Sequence, residues 1–375
     1  MIDHYKSQLQ KFKTEGHLRT IPSFSQSDSM INLSSNDYLG LAQNEDLQAD
    51  FFAQLPQQKH LLSSSSARLL TGNFEAHEQL ETTLSALYRK PVLTFNSGYH
   101  ANIGILPAIA DKNTLILADK LVHASLIDGI RLSLAKNIRY QHNNYEHLAY
   151  LLDTYTKKYE RIIIVTESIF SMDGDETDLS QLVTLKKCYK NVTLYIDEAH
   201  AVGVRGKNGL GCAEEHDCLA DVDFIVGTFG KALASVGAYV ICNETFRDFL
   251  VNTARPFIFS TNLPPINALW TTFILRRLAN FDEQRAILKS RSEQFRNLLK
   301  DKGNADISTS QIVPFIVGES TDAVLLSEEL QKQGFFALPV RPPTVPKGTA
   351  RLRFSLTSQI SETEIERLTE ILIKK

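Results

Sequence analysis

Cysteine is scarce in this chain. Its four residues, Cys188, Cys212, Cys218 and Cys242, never fall into a C-x-x-C pair, and four among 375 are too few for a disulfide framework. Reduced thiols in a cytoplasmic protein are the expectation. An excess of positive charge is also missing: 40 Lys and Arg against 43 Asp and Glu leave a formal net charge of -3. No global field exists to hold a nucleic acid backbone or an anionic membrane, so small-molecule chemistry is expected, with neither nucleic acid nor membrane as partner. With 18 Gly and 12 Pro, the chain has too little of either for a disordered or collagenous protein. Met1 to Gln10 lacks the apolar core of a signal peptide. Phe224 to Cys242 is the one stretch long enough to raise the question of a membrane span, and Lys231 near its centre, among several glycines, argues against one. The G-x-G-x-x-G fingerprint is absent, which counts against a dinucleotide fold, and the calcium-loop pattern is absent around Asp173, Gly174 and Asp175, so no metal is expected.

What the chain does contain is alternation. Short β-branched runs recur at Pro91 to Phe95, Thr114 to Ala118, Arg161 to Thr166, Val192 to Ile196, Val222 to Gly227 and Ala238 to Cys242. Between most of them lie segments of helical period, among them His77 to Tyr88, Leu148 to Tyr159 and Leu179 to Tyr189. This is the βα pattern of an α/β protein with a mostly parallel sheet covered on both faces. After about Pro265 the texture changes to a long helical stretch reaching Lys302, strand-like Ile312 to Val317, a helix from Thr321 to Gly334, strand-like Phe336 to Val340 and Ala350 to Leu356, and a final helix. That order predicts a smaller α+β domain. We therefore expect an N-terminal arm over 1–41, containing a helix, a polar loop and a short strand from Met30 to Leu33, then a large domain over 42–265 and a small one over 266–375.

A parallel sheet binds ligands beyond the carboxyl ends of its strands, so the residues just after each run carry the functional argument. Lys231 follows Val222 to Gly227 in small, apolar surroundings, where desolvation favours the neutral amine and hence a Schiff base; taken alone it also fits a snorkelling lysine. Asp197 closes Val192 to Ile196 with His200 three residues on, and such an acid can keep a pyridine ring nitrogen protonated. A helix cap and a packed histidine are the plainer reading. Gly98 and Tyr99 stand where a strand turns into a helix, an anion site in principle although single-glycine turns are common. His123 after the second run can stack on a planar ring or simply be structural. Ser171, in the stretch after Glu167, can donate to a phenolic oxygen.

Anion turn, histidine, acid and lysine fall on successive strands, and together they resemble the fold type I pyridoxal-phosphate enzymes. Within that group, SNDYLGL (Ser35 to Leu41), NSGYHAN (Asn96 to Asn102), HAS (His123 to Ser125), TESIFSMDGD (Thr166 to Asp175), DEAHAVGVRGKNGLG (Asp197 to Gly211), TFGKA (Thr228 to Ala232) and FSTNLPP (Phe259 to Pro265) look like the α-oxoamine synthases over essentially the whole chain. Val340 to Thr357, VRPPTVPKGTARLRFSLT, resembles the biotin-pathway branch, while SSSSARLLTGN (Ser63 to Asn73) departs from the more glycine-rich version in some members. The resemblance implies a large domain with a seven-stranded, mostly parallel sheet, pyridoxal 5'-phosphate (PLP) as cofactor, and a homodimer with its active sites at the interface. It implies that Lys231 carries the cofactor and later moves the Cα proton, Asp197 pairs with the ring nitrogen, His123 stacks, and His200 and Ser171 contact the phenolic oxygen. Gly98, Tyr99 and Thr228 would bind the phosphate, joined by Ser260 and Thr261 of the partner subunit. Arg353, assisted by Asn36, would take the amino acid carboxylate, with Arg351 as a solvent-facing or domain-facing neighbour; Arg19, Arg341 and Thr344 would border the acyl substrate. The implied reaction is decarboxylative condensation of L-alanine with pimeloyl-CoA or a pimeloyl carrier protein. The alternative is another α-oxoamine synthase, such as one using glycine and acetyl-CoA.

Overall fold

The structure, a computed structural model, describes residues 1–22, 30–55, 62–300 and 307–373. It forms two compact units, one of Asp37–Ser171 with Glu176–Ala286, the other of Met1–Asn36, Met172–Asp175 and Ile287–Lys375. The divisions thus fall near 36 and 286, where the sequence reading places them after 41 and 265. The helix Pro265–Leu275 accounts for much of the difference. Ala268, Phe273, Ile274 and Leu275 are buried, and the helix packs on Glu75–Tyr88 of the sheet-bearing unit.

In the larger unit seven strands run edge to edge as Val92–Phe95, Ala238–Ile241, Phe224–Thr228, Val192–Asp197, Arg161–Glu167, Thr114–Asp119 and Lys136–Tyr140. Every pairing is parallel except the two made by Ala238–Ile241. The reason lies in the connection: Phe229–Gly237 contains no helix, and a parallel partner needs a crossover of about a dozen residues or more. Phe224–Cys242, the stretch that raises the membrane question, is this antiparallel pair and its turn. Among the described residues no helix is long and apolar enough to cross a membrane. Lys136–Tyr140 is absent from the sequence expectation because it is mostly exposed, unlike the other edge strand, Val92–Phe95, so its KNIRY sequence lacks an apolar run.

One face of the sheet builds a core from Leu93, Phe95, Ile116, Val165, Phe224 and Val240, covered by Ala101, Ile105 and Leu106 of helix Gly98–Ile109 and Leu126 and Ile130 of helix Ala124–Leu132. These two helices approach so closely that a Cβ added at Gly129 would lie 2.4 Å from the backbone oxygen of Asn102. The contact therefore requires glycine in mid-helix despite its poor propensity.

The smaller unit carries an antiparallel sheet ordered Pro339–Val340, Ala350–Ser355, Ile312–Gly318 and a parallel pair of Ile31–Asn32 with Phe335–Phe336. Its helices include Ser320–Lys332 and Glu362–Ile373. Two expectations are corrected. The long helical stretch is two helices, Pro265–Leu275 and Asp282–Lys300, separated by a 3-10 turn at Leu278–Phe281, with residues 301 and 302 outside the described ones. The single strand from Phe336 to Val340 is two short pieces, each bonded to a different sheet. The polar loop of the N-terminal arm falls mainly on 23–29, outside the described residues.

Alanine at Gly129 separates propensity from packing. Helix propensity alone predicts a gain of about 0.8–1 kcal/mol, whereas overpacking against backbone costs about 1–3 kcal/mol. Gly129→Ala should accordingly lower the denaturation midpoint; a raised midpoint would show that the helices separate without cost.

Candidate active site

The carboxyl ends of the parallel strands meet on one edge of the larger unit, around a cavity of about 210 Å3. Lys231 reaches it from the turn after Phe224–Thr228. That turn is closed by Phe229 N–H donating to the Gly237 carbonyl at 2.9 Å and Ser235 N–H to the Phe229 carbonyl at 2.9 Å. Gly237 has φ +113°, and a Cβ there would meet Leu263 at 2.8 Å, so this turn accepts only glycine without rearrangement. Lys231 Nζ lies 3.0 Å from His200 Nε2, and His200 Nδ1 lies 2.7 Å from the hydroxyl of the fully buried Tyr38.

Asp197 ends its strand 6 % exposed and bordering the cavity. Its Oδ2 accepts from Asn102 Nδ2 at 2.8 Å and its Oδ1 from the Ala199 N–H at 2.9 Å. Opposite it in the ladder stands Glu167, also buried, whose Oε1 accepts the His123 N–H at 2.6 Å. Burial, and then the nearby Asp197 charge, push the Glu167 carboxyl well above its usual range, which favours the protonated form. His123 Nδ1 contacts Ser125 Oγ at 2.8 Å, and burial lowers the imidazole below its ordinary value, favouring the neutral ring. An uncharged imidazole suits stacking on an aromatic group.

Helix Gly98–Ile109 opens at the same cavity. Ser97 caps it by accepting the His100 N–H, while Gly98 and Tyr99 occupy the first turn, where amides lack intrahelical partners and the helix dipole favours an anion. Thr228 lines the cavity too, but its hydroxyl donates to the Gly237 carbonyl at 3.0 Å and accepts the Gly230 N–H at 3.2 Å. The first-turn amides are therefore better placed than the Thr228 hydroxyl to donate to an anion. Ser171 is buried in the larger unit, outside the set that lines the cavity, and Ser260 and Thr261 lie beyond helix Arg255–Ile258, where the Thr261 carbonyl accepts from Asn96 at 2.7 Å.

The remaining expected residues lie in the smaller unit. Arg353 donates to Asn36 Oδ1 at 3.2 Å and to Ser355 Oγ at 2.5 Å. Arg351 is not solvent-facing: it is 4 % exposed and pairs with Asp173 at 2.5 Å. Arg19 donates to Thr344 at 2.7 Å, and Arg341 to the Gly16 carbonyl at 2.6 Å, which groups these three residues.

The profile of the aminotransferase class I and II family matches residues 28–372. The 8-amino-7-oxononanoate synthase of Haemophilus ducreyi (strain 35000HP / ATCC 700724) is 52 % identical over 383 residues, covering 98 % of this chain and 99 % of that protein. This chain belongs to that family of PLP-dependent acyltransferases. Among solved structures, S. paucimobilis serine palmitoyltransferase with PLP and myriocin bound matches with TM-score 0.90 and 27 % identity over 99 % of this chain and 96 % of that one. The 8-amino-7-oxononanoate synthase of Francisella tularensis matches with TM-score 0.77 and 30 % identity over 92 % and 97 % respectively. The α/β fold type I architecture expected from the sequence and the PLP cofactor follow for this enzyme. The donor set fits the cofactor: an amine for its aldehyde, an acid for its ring nitrogen, an imidazole for its ring and a helix N-terminus for its phosphate.

Tyr38, Asn102, Ser125 and Glu167 are the site residues that the sequence reading does not single out. All lie in quoted motifs, yet uncharged or buried side chains at strand and helix ends give no signal of their own.

Glu167 generates a pH-dependent prediction. Its folded form binds a proton more tightly than the unfolded chain, which releases it near the ordinary value of about 4.3, so its contribution to stability falls as pH rises above that value. Glu167→Gln should gain stability relative to the parent as pH rises above about 4.3, measured by denaturant titration. A difference independent of pH would refute the protonated assignment.

Proposed function

We propose that this enzyme condenses L-alanine with a pimeloyl thioester, giving 8-amino-7-oxononanoate, carbon dioxide and the free thiol carrier, in biotin synthesis in the cytoplasm. The near-full-length similarity to 8-amino-7-oxononanoate synthases carries the reading. The product in that name divides simply. Carbons one to seven, ending in the ketone, match a seven-carbon diacid joined through one carbonyl; carbons eight and nine, with the amine, match alanine after loss of its carboxyl.

PLP, when bound, supplies a protonated pyridine ring that accepts the electron pair left on Cα when its proton or carboxyl group departs. The chain's residues serve that sink. Asp197 holds the ring nitrogen's proton, a pairing of roughly 4 kcal/mol at 4 Å and an effective dielectric of 20. Lys231 takes the Cα proton and returns it, and His200 beside it, with Ser171, holds the phenolic oxygen. His123 keeps the ring from tilting, and the amides of Gly98 and Tyr99 fix the phosphate, joined by Thr228 once its hydroxyl turns from the Gly237 carbonyl. In a homodimer, Ser260 and Thr261 of the partner subunit add to that contact. Arg353 with Asn36 orients the alanine carboxylate, and Arg19, Arg341 and Thr344 border the acyl chain.

The direct test supplies L-alanine with pimeloyl-CoA and identifies the product by mass. The expected product is 8-amino-7-oxononanoate; turnover of glycine with acetyl-CoA and none of alanine would assign a different member of the family. The arginines give a second test. A planar fork reads a carboxylate better than an ammonium does, so Arg353→Lys should weaken alanine binding by about tenfold or more. Arg351→Lys, whose native guanidinium pairs with Asp173, should leave alanine binding nearly unchanged. The reverse ranking, read from alanine titration of the bound cofactor's absorbance, would move the site to Arg351.

A further inference from the structure

Asn102 does not face solvent, carries no charge and is not a residue that reacts. It is 1 % exposed, on the second turn of the helix whose first turn offers Gly98 and Tyr99. Its carboxamide is fully engaged. Oδ1 accepts the hydroxyl of Tyr195 at 2.7 Å, and the two Nδ2 hydrogens go to Asp197 Oδ2 at 2.8 Å and Ser125 Oγ at 2.9 Å. The carboxylate offers only oxygen, so the amide nitrogen must face Asp197 and the oxygen must face Tyr195. Ser125 in turn contacts His123 Nδ1 at 2.8 Å. One amide therefore joins the helix of the anion site, the acid and the stacking imidazole. The three partners of the amide itself are buried: Tyr195 is 0 %, Ser125 1 % and Asp197 6 % exposed.

The position of this amide is fixed from behind. Its backbone oxygen sits against Gly129, where any larger residue would collide, and Tyr195 belongs to the same strand as Asp197. The hydrogen bond to Asp197 is thus held from two sides, by helix packing and by the strand's own register. A carboxylate with both oxygens engaged by N–H donors has one orientation towards the cavity instead of several.

We propose that Asn102 is a positioning residue that aims the Asp197 carboxylate at the cofactor's ring nitrogen and locks it in register with His123 and the phosphate-binding helix. The proposal rests on the assignment of Asp197 to the ring nitrogen, and the test separates the two. It compares binding of PLP with binding of its 1-deaza analogue, in which a C–H replaces the ring nitrogen, to the cofactor-free protein. Binding is followed by quenching of protein fluorescence.

In Asn102→Ala, loss of a hydrogen bond to a charged group should weaken PLP binding by about tenfold or more, while the analogue, which has nothing for Asp197 to hold, binds as it does to the parent. Unchanged analogue binding also shows that the cavity is folded. Tyr195→Phe, which removes only the hydroxyl that orients the amide, should shift the preference in the same direction by less. Equal weakening of both ligands would mean that Asn102 supports the cavity as a whole, and no effect on either would mean that Asp197 is aimed without it; both overturn the proposal. Asp197→Asn is the control for the underlying assignment: it must abolish the preference for PLP over the analogue. If it does not, the assignment of Asp197 fails and the proposal fails with it; if it does while Asn102→Ala retains full preference, the proposal alone fails.

Discussion

Parallel pairing between Arg161–Glu167, Val192–Asp197 and Phe224–Thr228 is the constraint on which the site depends. In that register Glu167 stands beside Asp197, and Asp197 beside Val226, so the strands end on one edge and deliver their next residues to a common space. The turn carrying Lys231 follows immediately, and the antiparallel strand Ala238–Ile241 returns the chain before it can leave the sheet. Two carboxyl groups placed side by side under cover of protein would repel one another and lose hydration. The structure treats the two differently. Asp197 receives two N–H donors, whereas Glu167 receives the His123 backbone and is pushed towards its protonated form by burial and by its neighbour.

The same edge sets the character of the other groups. Burial favours the neutral form of the His123 imidazole, which leaves it fit for a flat contact instead of a charge pair. His200 bridges Tyr38 and Lys231, so the Lys231 amine is tied to a buried phenol through a ring that can donate or accept at either nitrogen. The first turn of Gly98–Ile109 offers main-chain amides to an anion, whereas the Thr228 hydroxyl is already engaged by the backbone.

Five of the seven sheet strands are legible as β-branched runs buried along their length, and Ala238–Ile241 reads equally well as a strand though not in its direction. Lys136–Tyr140 is not legible, because most of its side chains are exposed. Likewise the break at Leu278–Phe281 leaves no glycine or proline in the sequence to mark it. In the site, Lys231, Asp197, His123 and His200 are visible because charge and imidazole at strand ends are chemically conspicuous. Asn102, Ser125 and Tyr195 are invisible for the opposite reason: their importance lies in which neighbours they meet, and those neighbours come from other strands and helices. Arg351 shows the limit of spacing arguments, since its alternation with Arg353 is plain in the sequence while its pairing with Asp173 depends on a distant loop.

The account stands or falls on Lys231 as the residue that carries the cofactor. Borohydride reduction of the PLP-loaded protein, followed by proteolysis and peptide mass measurement, tests it most directly. A phosphopyridoxyl group on the peptide containing Lys231, and on no other lysine, is the predicted result; the group on Lys90 or Lys120 with Lys231 unlabelled would contradict it.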